Sequence, residues 1–117
     1  MRILILDDDV SRRRELATQL NSVGADELIF YDWWEVYSVP LSEDFSAAFM
    51  AVNTMTDLEA ARHLIRIRPE LPFVVTSDTG KYAIEGFLLG ARHYLCEPMT
   101  QEALREALSR CTLKMAE

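Results

Sequence analysis

Three consecutive carboxylates, Asp7, Asp8 and Asp9, follow directly on the apolar run Ile3-Leu4-Ile5-Leu6. An apolar run this short reads as a buried parallel strand. Ligands of open α/β sheets bind just beyond the carboxyl ends of such strands. Acids packed at that point repel one another, so something must offset the repulsion. A divalent cation held by oxygen ligands is the chemistry this arrangement suggests. The alternative is a solvated loop in which Asp9 or Ser11 merely caps the following helix.

The elements that would position these acids alternate along the chain. Val10 to Val23 places Leu16, Leu20 and Val23 at helical spacing, and Gly24 ends the helix. A second strand is expected at Glu27–Tyr31, followed by the capping-box spacing of Asp32-Trp33-Trp34-Glu35 and a short helix cut off by Pro40. Ala47 to Val52 reads as a third buried strand, and Thr56-Asp57-Leu58-Glu59 as a capping box opening a helix with Leu58, Ala61, Leu64 and Ile65 inward. Phe73 to Thr76 forms a fourth strand. A helix from about Lys81 to Leu89 is expected to turn Ile84, Phe87 and Leu88 inward and to stop at Gly90. His93 to Cys96 gives the fifth strand. The last helix runs from Thr100 to about Met115, with Leu104, Ala107, Leu108 and Cys111 on one face. Such βα repetition predicts a parallel sheet covered by helices on both faces.

Composition narrows the functional classes. The 117 residues make one domain with enough apolar content for an ordinary core. A net charge of −7 argues against direct nucleic-acid binding, which needs a basic surface. No apolar stretch approaches the roughly 18 residues of a membrane span, and the N-terminal apolar run is too short for a signal peptide. Cys96 and Cys111 have no metal-ligand spacing, and both are expected to be reduced core thiols of a cytoplasmic protein. His63 and His93 read as structural. Arg12-Arg13-Arg14 reads as the solvated face of the first helix, with a docking surface for a phosphotransfer helix as the minority reading.

The chain resembles the receiver domain of bacterial two-component response regulators over essentially all of its length. Carriers of the resemblance are Ile3-Leu4-Ile5-Leu6-Asp7-Asp8-Asp9, Thr76-Ser77 at the end of strand four, and Gly90-Ala91-Arg92-His93-Tyr94-Leu95-Cys96-Glu97-Pro98. The spacing from Pro72 through Tyr82-Ala83-Ile84 to Pro98 is most similar to receivers that precede LytTR-type DNA-binding domains. The resemblance implies a flavodoxin-like, doubly wound five-stranded parallel sheet of order 2-1-3-4-5. It further implies that an aspartate ending strand three accepts a phosphoryl group, while Asp7 and Asp8 hold Mg²⁺. Ser77 (or Thr76, if the register slips by one) would be the hydroxyl switch, Tyr94 the rotating aromatic, and Pro98 the proline after the strand-five lysine, often following a cis bond.

Two positions depart from that pattern. Asn53 occupies the phospho-acceptor position, and an amide is a poor nucleophile. Glu97 occupies the lysine position and reverses its charge. The segment Thr54-Met55-Thr56 is also shorter than usual. These departures imply a degenerate receiver in which no residue is catalytic and Mg²⁺ at Asp7 and Asp8 is weak or lost, although Glu97 could replace a ligand.

The expected function is a non-enzymatic signalling module that regulates an output domain or partner through protein contacts. It would form a homodimer through the face of the fourth helix, fifth strand and fifth helix. A fused LytTR-type output domain and a stand-alone protein fit equally well. A second reading keeps phosphoryl transfer, with Asp57 or Asp8 as acceptor and Mg²⁺ as cofactor. A third, a flavin- or nucleotide-binding domain, ranks last because Asp8-Asp9-Val10 stands where a glycine-rich phosphate loop would be. Trp33 and Trp34 cannot both face the core, so one of them is a candidate partner contact.

Overall fold

A computed structural model of the chain describes residues 1–25, 27–38 and 44–113. Its strands are β1 (Arg2–Leu6), β2 (Glu27–Tyr31), β3 (Ala47–Ala51), β4 (Phe73–Ser77) and β5 (His93–Cys96). Its α-helices are α1 (Val10–Ser22), α2 (Met55–Ile67), α3 (Ala83–Leu88) and α4 (Gln101–Leu113). All the strands pair in parallel in the order β2-β1-β3-β4-β5, which is the predicted topology. The strand order reverses between β1 and β3, so the residues just beyond those two strands flank the switch point where such sheets place their sites.

Strand alternation divides the core into two layers. Ile3, Ile5, Phe49 and Val74 face α1 and α4, meeting Leu16, Leu20, Leu104 and Ala107. Leu4, Leu6, Met50 and Val75 face the other way, onto Leu58 and Leu64 of α2 and onto Trp33 and Val36. β1, β3 and β4 are buried on both sides, which is why their sequences are continuous apolar runs rather than alternating ones. Gly24 and Gly90 stop α1 and α3 as expected. Each takes a positive φ (+106° and +102°). The next residue's amide then reaches back, Ala25 to the Leu20 carbonyl at 3.0 Å and Ala91 to that of Gly86 at 3.1 Å.

Several local expectations need correction. The second helix is a six-residue 3₁₀ segment, Trp33–Ser38. The Glu35 side chain does close back on the Asp32 amide at 2.9 Å, as a capping box should. Pro40 and the chain from 114 onward, where the last helix was expected to end, lie outside the described residues. The α2 cap is Thr54 rather than Thr56: its hydroxyl accepts from the Asp57 amide at 3.1 Å. Ile84, Phe87 and Leu88 do not face inward; they are 74, 51 and 82% exposed. The inward stripe of α3 is instead Tyr82, Gly86 and Leu89, with Gly86 lying against Val75 and Tyr94 of the sheet. A Cβ there would lie 3.4 Å from Val75 Cγ2 and 3.5 Å from Tyr94 Cδ2. Cys111 is a core thiol, its pKa pushed up to about 11 by burial. Cys96 is not in the core; it is exposed at the end of edge strand β5.

Candidate functional site

The acid run splits into three residues with three different partners. Asp7 is only 3% exposed, and a carboxylate buried that deeply needs a counter-charge or hydrogen-bond donors. Arg12, in the first turn of α1, supplies both. Its Nη2 lies 3.0 Å from Asp7 Oδ1 and its Nε 3.2 Å from Oδ2, a bidentate fork. The Asp9 amide adds a third donor to Oδ1 at 2.9 Å. That carboxylate in turn raises the Arg12 pKa, chiefly through the hydrogen bonds.

Asp8 points the other way. Its Oδ1 accepts from the Trp33 amide at 2.8 Å and so caps the 3₁₀ segment. Asp9 caps α1, accepting from the Arg12 amide at 2.9 Å. That backbone donor holds the exposed carboxyl below its usual pKa. Arg13 bonds the Asp7 carbonyl and pairs with Asp32. Arg12 and Arg13 are therefore not a solvated face; of the three arginines only Arg14 is exposed.

Asn53 lies just past β3, across from Asp7. Its Oδ1 accepts from the Asp78 amide at 2.8 Å and from Ser77 Oγ at 3.1 Å. Ser77 is buried at the last position of β4 and is the hydroxyl that reaches Asn53. Its single proton is shared between Asn53 and the Val52 carbonyl, 2.8 Å away, while its oxygen accepts from the Thr79 amide at 3.1 Å. The Thr79 carbonyl then accepts from the Tyr94 hydroxyl at 2.7 Å. A continuous series of contacts thus joins Asn53 to the half-buried aromatic of β5.

Glu97 stands at the end of β5 with its side chain 35% exposed and Oε1 3.9 Å from Arg12 Nε. Burial raises its pKa; Arg12 opposes the rise, and Asp78, Asp7 and Glu15 add to it. The bond from Glu97 to Pro98 is cis. Asp57, at the third position of α2, accepts from the Asn53 amide at 3.0 Å. Its pKa is raised, again mainly by burial.

Arg12 forms the wall between two clefts. One, of about 370 Å³, is lined by Asp7, Asp8, Trp33, Asn53 and Asp57 together with Arg12. The other, of about 520 Å³, lies between α1 and the β5–α4 loop and is lined by Asp9, Glu15, Asp78, Glu97 and Met99 among others.

This arrangement does not fit a divalent cation. Such an ion needs several open oxygen ligands, yet both Asp7 oxygens are engaged by a guanidinium and Asp8 is turned to a backbone amide. Among the described residues no group of three or more His, Cys, Asp or Glu could hold a metal. His63 stacks beside Tyr37, with centroids 4.4 Å apart, and His93 faces Glu106 at 4.0 Å.

Inspection of the sequence missed the Arg12 clamp. The signal was nonetheless present: three arginines open α1, where the helix dipole disfavours cations, and no acid stands in that turn. A cation placed there needs a partner elsewhere.

Comparison with known proteins adds the lineage. Residues 2–113 match the sequence family described as flagellar regulatory protein FleQ. The transcriptional regulatory protein LytR of Staphylococcus aureus is 25% identical over 114 residues, covering 94% of this chain and 46% of that protein. The chain thus spans about half the length of the curated relatives it matches. A response regulator receiver protein from Pseudoalteromonas atlantica superposes with a TM-score of 0.82 at 14% identity, over 100% of both chains. The chemotaxis protein CheY4 of Vibrio cholerae gives 0.77 at 23% identity, over 94% of this chain and 97% of that one.

Proposed function

Since the chain belongs to the FleQ family and has the response-regulator receiver fold, we propose that it is a signalling domain that works without phosphoryl transfer. The observation that carries this reading is the state of Asn53. Its amide is not a nucleophile, and its oxygen is already engaged by Ser77 and Asp78. The surrounding charges agree: the lysine position is Glu97, and Asp7 is matched by Arg12 rather than by a free ion. Signals would then pass by protein contacts, to a fused output domain (of the LytTR DNA-binding type or another) or to a separate partner. The exposed stripe Ile84, Phe87 and Leu88 on α3, which packs beside β5, is the surface we assign to those contacts, homodimerisation included. No helix among the described residues is long and apolar enough to cross a membrane.

The test is incubation with acetyl phosphate and Mg²⁺ followed by intact-mass measurement. The expected result is an unchanged mass. A gain of one phosphoryl group that disappears in Asp57→Asn would establish the rival reading, a receiver using a non-standard acceptor. That rival draws on the half-buried Asp57 carboxyl, which lines the same cleft as Asp7 and Asp8.

A further inference from the structure

We propose that Arg12 is the resident cation of this pocket, and that Glu97 is its second anchor. The sign reversal at position 97 and the arginine on α1 then become one exchange of charge. In the receiver pattern the positive charge is delivered from the end of strand five. Here it comes from helix one, and a carboxylate stands where the lysine would have been.

Three observations converge on this. First, Asp7 is buried and receives both arms of the Arg12 fork, so the positive charge at this corner belongs to the chain itself. Second, Arg12 occupies the first turn of a helix, where the macrodipole opposes a cation. Its placement there answers to Asp7 and Glu97, not to helix formation. Third, the same Nε that bonds Asp7 faces Glu97 at 3.9 Å, so one guanidinium spans the ends of β1 and β5. Asp7, Arg12, Asn53, Ser77 and Glu97 also line one small cleft. A side chain from position 97 can therefore approach Asp7 once Arg12 is gone. Arg12 is on this account a positioning residue: it ties α1 to the loop that carries Pro98 and fixes the mouth of the pocket. The inference goes beyond the phosphorylation-independent reading and does not require it.

The test is a charge transplant in the whole chain, read by urea unfolding and by amide exchange of residues 97–100. Arg12→Gln keeps a helix-compatible side chain but removes the charge, and it should lower the urea midpoint and speed exchange in the loop. Adding Glu97→Lys to Arg12→Gln should recover at least half of the lost midpoint, because the cation is restored from the opposite strand. Arg12→Lys, which keeps charge but loses the fork, should fall between wild type and Arg12→Gln. In wild type, MgCl₂ should move the midpoint no more than NaCl of equal ionic strength. A double variant no more stable than Arg12→Gln, or a wild type specifically stabilised by Mg²⁺, would overturn the proposal. If Arg12→Gln does not fold at all, recovery of a folded chain by Glu97→Lys supports it, and failure to recover refutes it. Phosphorylation by acetyl phosphate would contradict the preceding section and leave these midpoints unaffected.

Discussion

At the scale of single residues, Asp7, Asp8, Asn53 and Ser77 each have hydrogen-bond partners within the chain. Asn53→Ala removes the acceptor for the Asp78 amide, while Ser77 keeps the Val52 carbonyl. We expect a loss of about 1 kcal/mol in unfolding free energy, measurable by urea titration. Asn53→Asp should not make the domain phospho-accepting, because Arg12 and Glu97 stay in place; intact mass after acetyl phosphate treatment decides this. Asp57 offers a pH test. Burial raises its pKa, so the folded chain holds that proton at pH values where the unfolded chain has released it. Its contribution to stability therefore falls as pH rises from the unfolded carboxylate pKa through the higher folded one. Asp57→Asn should gain on wild type as pH rises above the ordinary carboxylate pKa, a trend that paired thermal melts would show; a constant difference would refute it. Asn53 and Glu97 could be picked out in the sequence because each breaks an otherwise recognisable motif. For Arg12 the sequence shows an ill-placed cation at the start of α1 but not its partner, since Asp7 lies five positions back around a turn, where neither strand nor helix periodicity relates the two residues.

At the scale of elements, the strands were the most legible part. β2 and β5 lie where the apolar and aromatic residues put them, and β3 and β4 differ from expectation only at one end. Helix α3 was misread for a definite reason. Tyr82, Gly86 and Leu89 have helical spacing, and so do Ile84, Phe87 and Leu88; six helical residues are too few for the pattern to choose. Hydrophobicity favoured the second set, whereas close packing selected the one with glycine at its centre. Gly86→Val should accordingly displace α3 or Tyr94, lowering the melting temperature by several degrees. Gly86→Ala should be close to neutral, because its Cβ meets only ordinary contacts and alanine is the better helix former. Thermal unfolding of both variants checks this.

At the scale of the whole molecule, the fold keeps its two core layers and its switch point while the surface over α3 stays apolar and uncovered. If that surface serves self-association, Leu88→Glu should shift the chain toward monomer in light scattering after size exclusion, with no loss of melting temperature. An unchanged mass would remove α3 from the interface. The Arg12 clamp has one more consequence, in terms of mass action. A bound ion occupies its site according to its concentration in the surroundings, so its occupancy can report on the cell. A guanidinium carried on α1 has a local concentration set by the length of its own tether. Dilution, chelation or a change of ionic composition leaves that concentration unaltered. What can still vary is the concentration of whatever meets the exposed face of α3, and that is where a signal through this domain would be graded.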